Sequence, residues 1–196
     1  MKINGDTLSV VVLSGPICAG KSTVVENLSE RYGARVVKTR DLIKQQLPRV
    51  KDERRALQRA GEKLDRADGG AWVKNALARF IEAANDGSTP RGLFVVDSVR
   101  IRGQVDAVRE AFGTAVHHIH LTASDSVLRE RYSKRGSKTQ EFPDYDAVKK
   151  SPTERGIEKL AELADIVVAT DRCSAAAVRP GNCSIGSLLS LDSCLC

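Results

Sequence analysis

The sequence predicts an α/β domain built on a largely parallel sheet of about five strands with helices on both faces. Strand-like and helix-like segments alternate along most of the chain. The first apolar run reads as a buried strand, and a glycine-rich turn carries it straight into a helix. Each element follows in order. Residues 8–13 form the first strand, and residues 21–32 a helix closed by Gly33. Residues 34–38 (ARVVK) are a short second strand, and 41–47 a helix stopped near Pro48. A charged helical region over 51–67 ends at Gly69-Gly70, and 71–84 is a further helix. The turn-rich NDGSTPRG leads to the third strand, LFVVD at 93–97. Helix is expected at 101–111, a fourth strand at 115–121, and helix again at 126–135. Residues 136–152 lack an apolar period and read as a mobile, basic-edged excursion. A helix at 153–163 and a fifth strand at 165–169 complete the order.

Composition narrows the partners. The 196 residues are 41% hydrophobic and 29% charged, ordinary values for a soluble globular chain. Aromatics reach only 4%, which argues against a nucleic-acid platform of stacked rings, and nucleic acid is not the favoured partner. The net charge of +6 suits acidic small molecules such as nucleotides. No apolar run approaches the ~20 residues of a membrane helix, and the N-terminus runs as a strand into the glycine loop, so a cytoplasmic protein is expected. Four of the five cysteines (Cys173, Cys183, Cys194 and Cys196) fall near the C-terminus, without CxxC spacing or a nearby histidine. Neither a disulfide framework nor a zinc site is implied. The chain divides into a domain over 1–173 and a serine-rich, low-charge tail over 174–196, which reads as disordered or as a truncated linker.

Gly15-Pro16-Ile17-Cys18-Ala19-Gly20-Lys21-Ser22 matches GxxxxGK[ST], between a predicted strand and a predicted helix as that motif requires. Glycines at both ends let the backbone wrap a polyphosphate, with amides at the helix start pointing inward. Gly15, Cys18, Ala19, Gly20, Lys21, Ser22 and Thr23 are therefore the candidate ATP-binding set. Lys21 would reach the β- and γ-phosphates, and the Ser22 hydroxyl would ligate Mg²⁺. Asp97, at the end of the third strand, is the second candidate for Mg²⁺. No NKxD-like segment supports a GTPase. The single carboxylate of FVVDS argues against a remodelling or transport ATPase. Arg100 and Arg102 follow at the carboxyl end of the third strand, where open α/β sheets bind ligands. Arg131 and Arg135 lie four apart on one helix face, with Arg129 nearby, suited to spreading the charge of a transferring phosphoryl group. Gln58 and Trp72 are candidates to border an acceptor, although a lone tryptophan is more often core. Of His117, His118 and His120, the last two share a strand face, and packed histidines are favoured over a metal site.

The order of these parts resembles the nucleoside monophosphate kinase group of P-loop kinases, over residues 8–171. VVLSGPICAGKST looks like that group's phosphate loop, and VVKTRDLIKQ like its acceptor-side turn. The turn's contacts carry over to Thr39 and Lys44, while Arg40 stands where the group commonly has glycine. LFVVDSVRIRGQVDAVREAF resembles the stretch whose aspartate serves magnesium and whose arginine serves the acceptor phosphate, hence Asp97 and Arg100. LRERYSKRG resembles the entry to a short lid, and SPTERGIEKLAELADIVVATD the closing helix and strand. The resemblance implies the P-loop NTPase fold with strand order 2-3-1-4-5. It also implies γ-phosphoryl transfer from ATP, with Mg²⁺, to a nucleoside-monophosphate-like acceptor. Two rivals stand beside it. One is a polynucleotide or small-metabolite kinase on the same fold, with Asp41 as base. The other is an ATP-binding regulatory module of a larger nucleotide-metabolising protein.

Overall fold

The computed structural model describes residues 7–86, 88–135, 142–152 and 154–172. Five strands form one sheet: β1 (Leu8–Ser14), β2 (Arg35–Lys38), β3 (Gly92–Asp97), β4 (Val116–Thr122) and β5 (Ile166–Ala169). All neighbours pair in parallel, in the spatial order β2-β3-β1-β4-β5. This is the expected P-loop order, and it leaves β1 in the centre. Seven helices complete the described fold: α1 (Lys21–Tyr32), α2 (Thr39–Gln46), α3 (Arg54–Asp68), α4 (Ala71–Ala84), α5 (Arg102–Phe112), α6 (Asp125–Ser133) and α7 (Tyr145–Lys149).

The sheet is buried on both faces, which explains why its central strands are continuously apolar. Val10, Val12, Phe94 and Val96 pack with Leu42, Trp72, Leu77 and Val105 of α2, α4 and α5 on one face. Val11, Leu13, Val95 and Ile119 pack with Val25, Leu28, Leu128 and Tyr132 of α1 and α6 on the other. The period of two along each strand thus divides one apolar run between two cores. Register brings Lys38 level with Asp97, Asp97 with Leu13, and Ser14 with His120. The carboxyl ends of four strands therefore meet along one edge.

Two glycines hold close approaches that no side chain tolerates. Gly15 has φ +130°, and a Cβ there would lie 2.3 Å from the carbonyl oxygen of Leu121. At the start of α5, a Cβ on Gly103 would lie 1.9 Å from the carbonyl oxygen of Gly69, so the turn between α3 and α4 rests directly on α5.

Two segments depart from the sequence reading. Part of the stretch expected as a loose excursion is ordered: Asp144 caps α7 through the Ala147 amide at 2.8 Å, and Tyr145 and Val148 enter the core. Five residues are too short to register an apolar period. The closing helix is a 3₁₀ segment over Ile157–Leu163, and it begins four residues later than expected. The remainder of the excursion, 136–141, and the tail over 174–196 lie outside the described residues. Among the described residues, no helix is long and apolar enough to cross a membrane.

Gly103→Ala is expected to cost about 1–3 kcal/mol of stability, typical of forced overpacking, read as a lower urea midpoint. An unchanged midpoint would show that the α3–α4 turn gives way at no cost.

Candidate active site

The phosphate loop leaves β1 at Ser14 and enters α1 at Lys21, and no side chain caps that helix. Its first-turn amides therefore have no competitor from a side-chain oxygen for an anion. The Lys21 ammonium folds back onto the loop, donating to the carbonyls of Gly15 at 2.6 Å and Pro16 at 2.7 Å. The residue keeps some solvent contact, yet its ammonium is tucked in. Burial, reinforced by the Arg100 charge, lowers its pKa to about 7 against the partial support of Glu154 and Asp97. Ser22 and Asp97 both line the cleft above the loop, and their hydroxyl and carboxylate oxygens are the hard donors that Mg²⁺ takes.

Behind the loop stands a residue that sequence reasoning missed. Glu154 has 2% of its side chain exposed. One carboxylate oxygen accepts the Ile17 amide at 3.0 Å, and the other accepts Arg100 Nη1 at 2.8 Å. A single carboxylate thus ties the loop backbone to the arginine expected to meet the acceptor. Its only signal in the sequence was the ERG of the closing segment, where one glutamate among charged neighbours looks like solvent-facing helix.

The cleft has a volume of about 1260 Å³ and continues from the loop to a second wall. Thr39, Arg40, Gln58, Trp72 and Arg100 line that wall, as do Asp65 and Gln104, which the sequence reading did not single out. Thr39 donates its hydroxyl to the Ser98 carbonyl at 3.2 Å, bracing the end of β2 against the chain after β3. Arg40 forms an ion pair with Asp52. Trp72 is both core and wall: its ring is buried, and its indole N–H donates to Asp65 at 2.7 Å.

Three acceptor-side candidates are not brought to this cleft. Arg102 is exposed and pairs along its own helix with Asp106 at 3.0 Å, because position i+4 lies nearer than the strand ends. Lys44 reaches the cleft only through Asp52, at 3.1 Å. Asp41 is exposed on α2, outside the residues that line the cleft.

Arg131 and Arg135 line the cleft from the end of α6 and just beyond it. Arg131 donates to the carbonyls of Cys18 at 3.3 Å and Thr170 at 2.6 Å, so it also braces the loop. Arg129 instead pairs with Asp146 of α7. Beneath the loop, Ser14 Oγ lies 2.7 Å from His118 Nε2 and 2.8 Å from His120 Nδ1. Burial, with the charges of His118 and Lys21, pushes His120 down to about 4. Both imidazoles are packed members of the sheet. Among the described residues, no group of three or more His, Cys, Asp or Glu is placed to hold a metal ion.

A GxxxxGK[ST] loop between β1 and α1, at the carboxyl edge of a parallel 2-3-1-4-5 sheet, defines the P-loop kinase fold. The chain belongs to the family described as "AAA domain", whose profile matches residues 11–150. Similar solved structures include a gluconokinase from Sinorhizobium meliloti 1021, with a TM-score of 0.51, 20% identity and coverage of 88% of this chain and 87% of that one. A Thermus thermophilus protein gives a TM-score of 0.55 at 16% identity, covering 96% and 100%. A shikimate kinase from Acinetobacter baumannii, in complex with shikimate, gives 0.50 at 16% identity, covering 88% of each chain. At these identities the likeness is one of fold. No curated protein sequence matches the chain.

Glu154→Ala is expected to lower stability by about 3 kcal/mol, the low end for breaking a buried ion pair, since Arg100 keeps 27% of its side chain in solvent. Glu154→Gln, which preserves an acceptor for Ile17, should cost less; equal losses in denaturation would refute a contribution from that hydrogen bond and leave the lost charge to account for the whole.

Lys21 also makes binding depend on pH. Its folded pKa of about 7 lies below the ordinary 10.5, so its cost to stability is full below pH 7 and fades as pH rises toward 10.5. A bound triphosphate restores the proton. Calorimetry in buffers of different ionisation enthalpy should show proton uptake on ATP binding at about pH 8.5 that exceeds uptake at about pH 6. Equal uptake at both would refute it.

Proposed function

We propose that the chain is an ATP-dependent kinase that moves the γ-phosphoryl group to a nucleotide acceptor of the nucleoside-monophosphate type. The observation that carries this reading is the continuity of the cleft. The phosphate loop and the wall of Thr39, Gln58, Trp72 and Arg100 border one space of about 1260 Å³. That exceeds the roughly 300–1,000 Å³ of a single-ligand pocket, which supports a two-substrate site.

Lys21 and the loop amides hold the donor phosphates. Arg100, fixed by Glu154, receives the acceptor phosphate. Arg131 and Arg135, which line the same cleft, spread the charge of the transferring group. Ser22 and Asp97 would hold Mg²⁺, which when bound neutralises phosphate charge and aligns the phosphate oxygens. The residues contribute orientation and electrostatics, and an acceptor that is already an anion needs no general base. A hydroxyl-bearing small molecule is the second reading, favoured by the fold shared with a gluconokinase and a shikimate kinase. With Asp41 outside the cleft lining, such a reaction would draw its base from the carboxylates that line the cleft, Asp97 and Asp65 among them.

A panel of ribo- and deoxynucleoside monophosphates, gluconate and shikimate, each with Mg²⁺-ATP, separates these readings. Diphosphate products support the proposal, and turnover of only the hydroxy acids supports the second reading. ATP hydrolysis indifferent to every acceptor would favour a regulatory module. Lys21→Ala should lower turnover by about a hundredfold or more, as loss of a charge-stabilising contact does; unchanged turnover would remove the site itself.

A further inference from the structure

On the wall opposite the phosphate loop, Asp65 occupies an unusual position. Its Oδ1 accepts two hydrogen bonds, from Trp72 Nε1 at 2.7 Å and from Gln104 Nε2 at 2.8 Å. Among the described residues, Oδ2 accepts none, and the side chain lines the cleft. Both donors are held in place. Trp72 is 3% exposed in the core, and Gln104 is 2% exposed with its Oε1 accepting the Arg100 amide at 2.8 Å. The carboxylate is therefore pinned by one oxygen, and the other is left without a hydrogen bond on a side chain that lines the cleft. Gln104 fixes it relative to the backbone of Arg100, the residue assigned to the acceptor phosphate.

Charge and shape at this wall restrict what can meet it. Glu62 and Asp68 lie close enough to raise the Asp65 pKa further, after burial has raised it. A second anionic group of a ligand would be repelled there. Ile43, Leu57 and Gly61 line the same wall, leaving an apolar surface beside a polar edge. A flat ring with hydrogen-bond donors on its rim fits that surface.

We propose that Asp65 is the specificity-determining residue of the acceptor site, selecting a nucleobase by accepting a hydrogen bond from its exocyclic amino group. This rests on the nucleotide-acceptor reading above and deepens it. A base whose edge presents only acceptors to Oδ2 would set two lone pairs against each other, which rejects it. A base lacking the amine would leave a partly buried carboxylate oxygen without its partner. Asp65 also stands at the opposite end of the Gln104 bridge from Arg100. The acceptor is thus polarised, with its anion toward Arg100 and its donor group toward Asp65.

The test compares acceptors that differ only by an amino group replaced with hydrogen: AMP and purine riboside monophosphate, CMP and its 4-deamino analogue, and GMP and IMP. At least one pair should show kcat/KM favouring the amine by about tenfold or more, the range of a hydrogen bond to a charged group. In Asp65→Asn the amide oxygen still serves Trp72 and Gln104, so the NH₂ turns to the cleft and donates. The preference should then collapse toward one or reverse, with the KM for ATP unchanged. Monophosphates turned over without any such preference, or with one equal in the wild type and Asp65→Asn, would overturn the inference alone. If no monophosphate is phosphorylated while ATP still binds, the acceptor reading falls and this inference with it. Should Asp65→Asn fail to fold, Trp72→Phe decides. It removes the indole N–H, releases the carboxylate and should lower the preference at least about threefold; an unchanged preference would overturn the proposal.

Discussion

One buried carboxylate organises the centre of this molecule. Glu154 accepts the Ile17 amide from the phosphate loop and the Arg100 guanidinium from the chain after β3, tying the two segments together beyond the point where the pairing of β1 with β3 ends. An anion withdrawn from water needs such partners, since desolvation otherwise outweighs what burial returns. Lys21 and Arg100 are close enough to repel each other, and Glu154 and Asp97 offset that repulsion. Without that carboxylate the loop would carry its cations with the largest of their offsetting charges removed. A buried ion pair contributes little net stability compared with apolar packing, but it fixes geometry.

The loop itself is an electropositive surface on an apolar base. Val11 and Leu13 of β1 are fully buried beneath it, and the paired imidazoles at Ser14 are held well away from protonation at neutral pH. Positive charge is thereby confined to the upper side, where Lys21, Arg100, Arg131 and Arg135 line the cleft. Field lines from such an arrangement focus on a polyphosphate in a partly dry cleft more strongly than on the same groups in water. The Lys21 pKa of about 7 records the cost of burying that ammonium and, after it, of setting it beside Arg100 before an anion arrives.

The opposite wall is built differently. Its polar groups link in a chain from Trp72 through Asp65 and Gln104 to Arg100, and it reaches the loop through Glu154 and Ile17. Such a linked network holds one arrangement, with Asp65 Oδ2 as the end open to a ligand. Gly103 makes it possible by allowing the α3–α4 turn to touch α5, which sets Asp65 against Gln104. The phosphate loop and the opposite wall are consequently one connected structure, even though they arise from distant parts of the chain.

The sequence by itself determined the alternation of strands and helices, the phosphate loop and the residues gathered at the carboxyl ends of β1 and β3. These are local features: a buried strand, a glycine turn and a helix start can be recognised within about 20 residues. The strand order was legible only through the order of motifs, yet it proved the same. The tertiary structure alone decided which charges face the cleft. Arg100 and Arg102 are two residues apart, but one turns to Glu154 and the other to Asp106. Lys44 and Asp41 lie beside a cleft-lining residue without lining the cleft. Glu154 and Asp65 were missed because a single acidic residue in a charged turn or helix has no periodicity to betray it. Their importance comes from partners 137 and 39 positions away. Hydrogen bonds and ion pairs act over a few ångströms in space, and sequence spacing carries no record of a contact made only when the chain has folded.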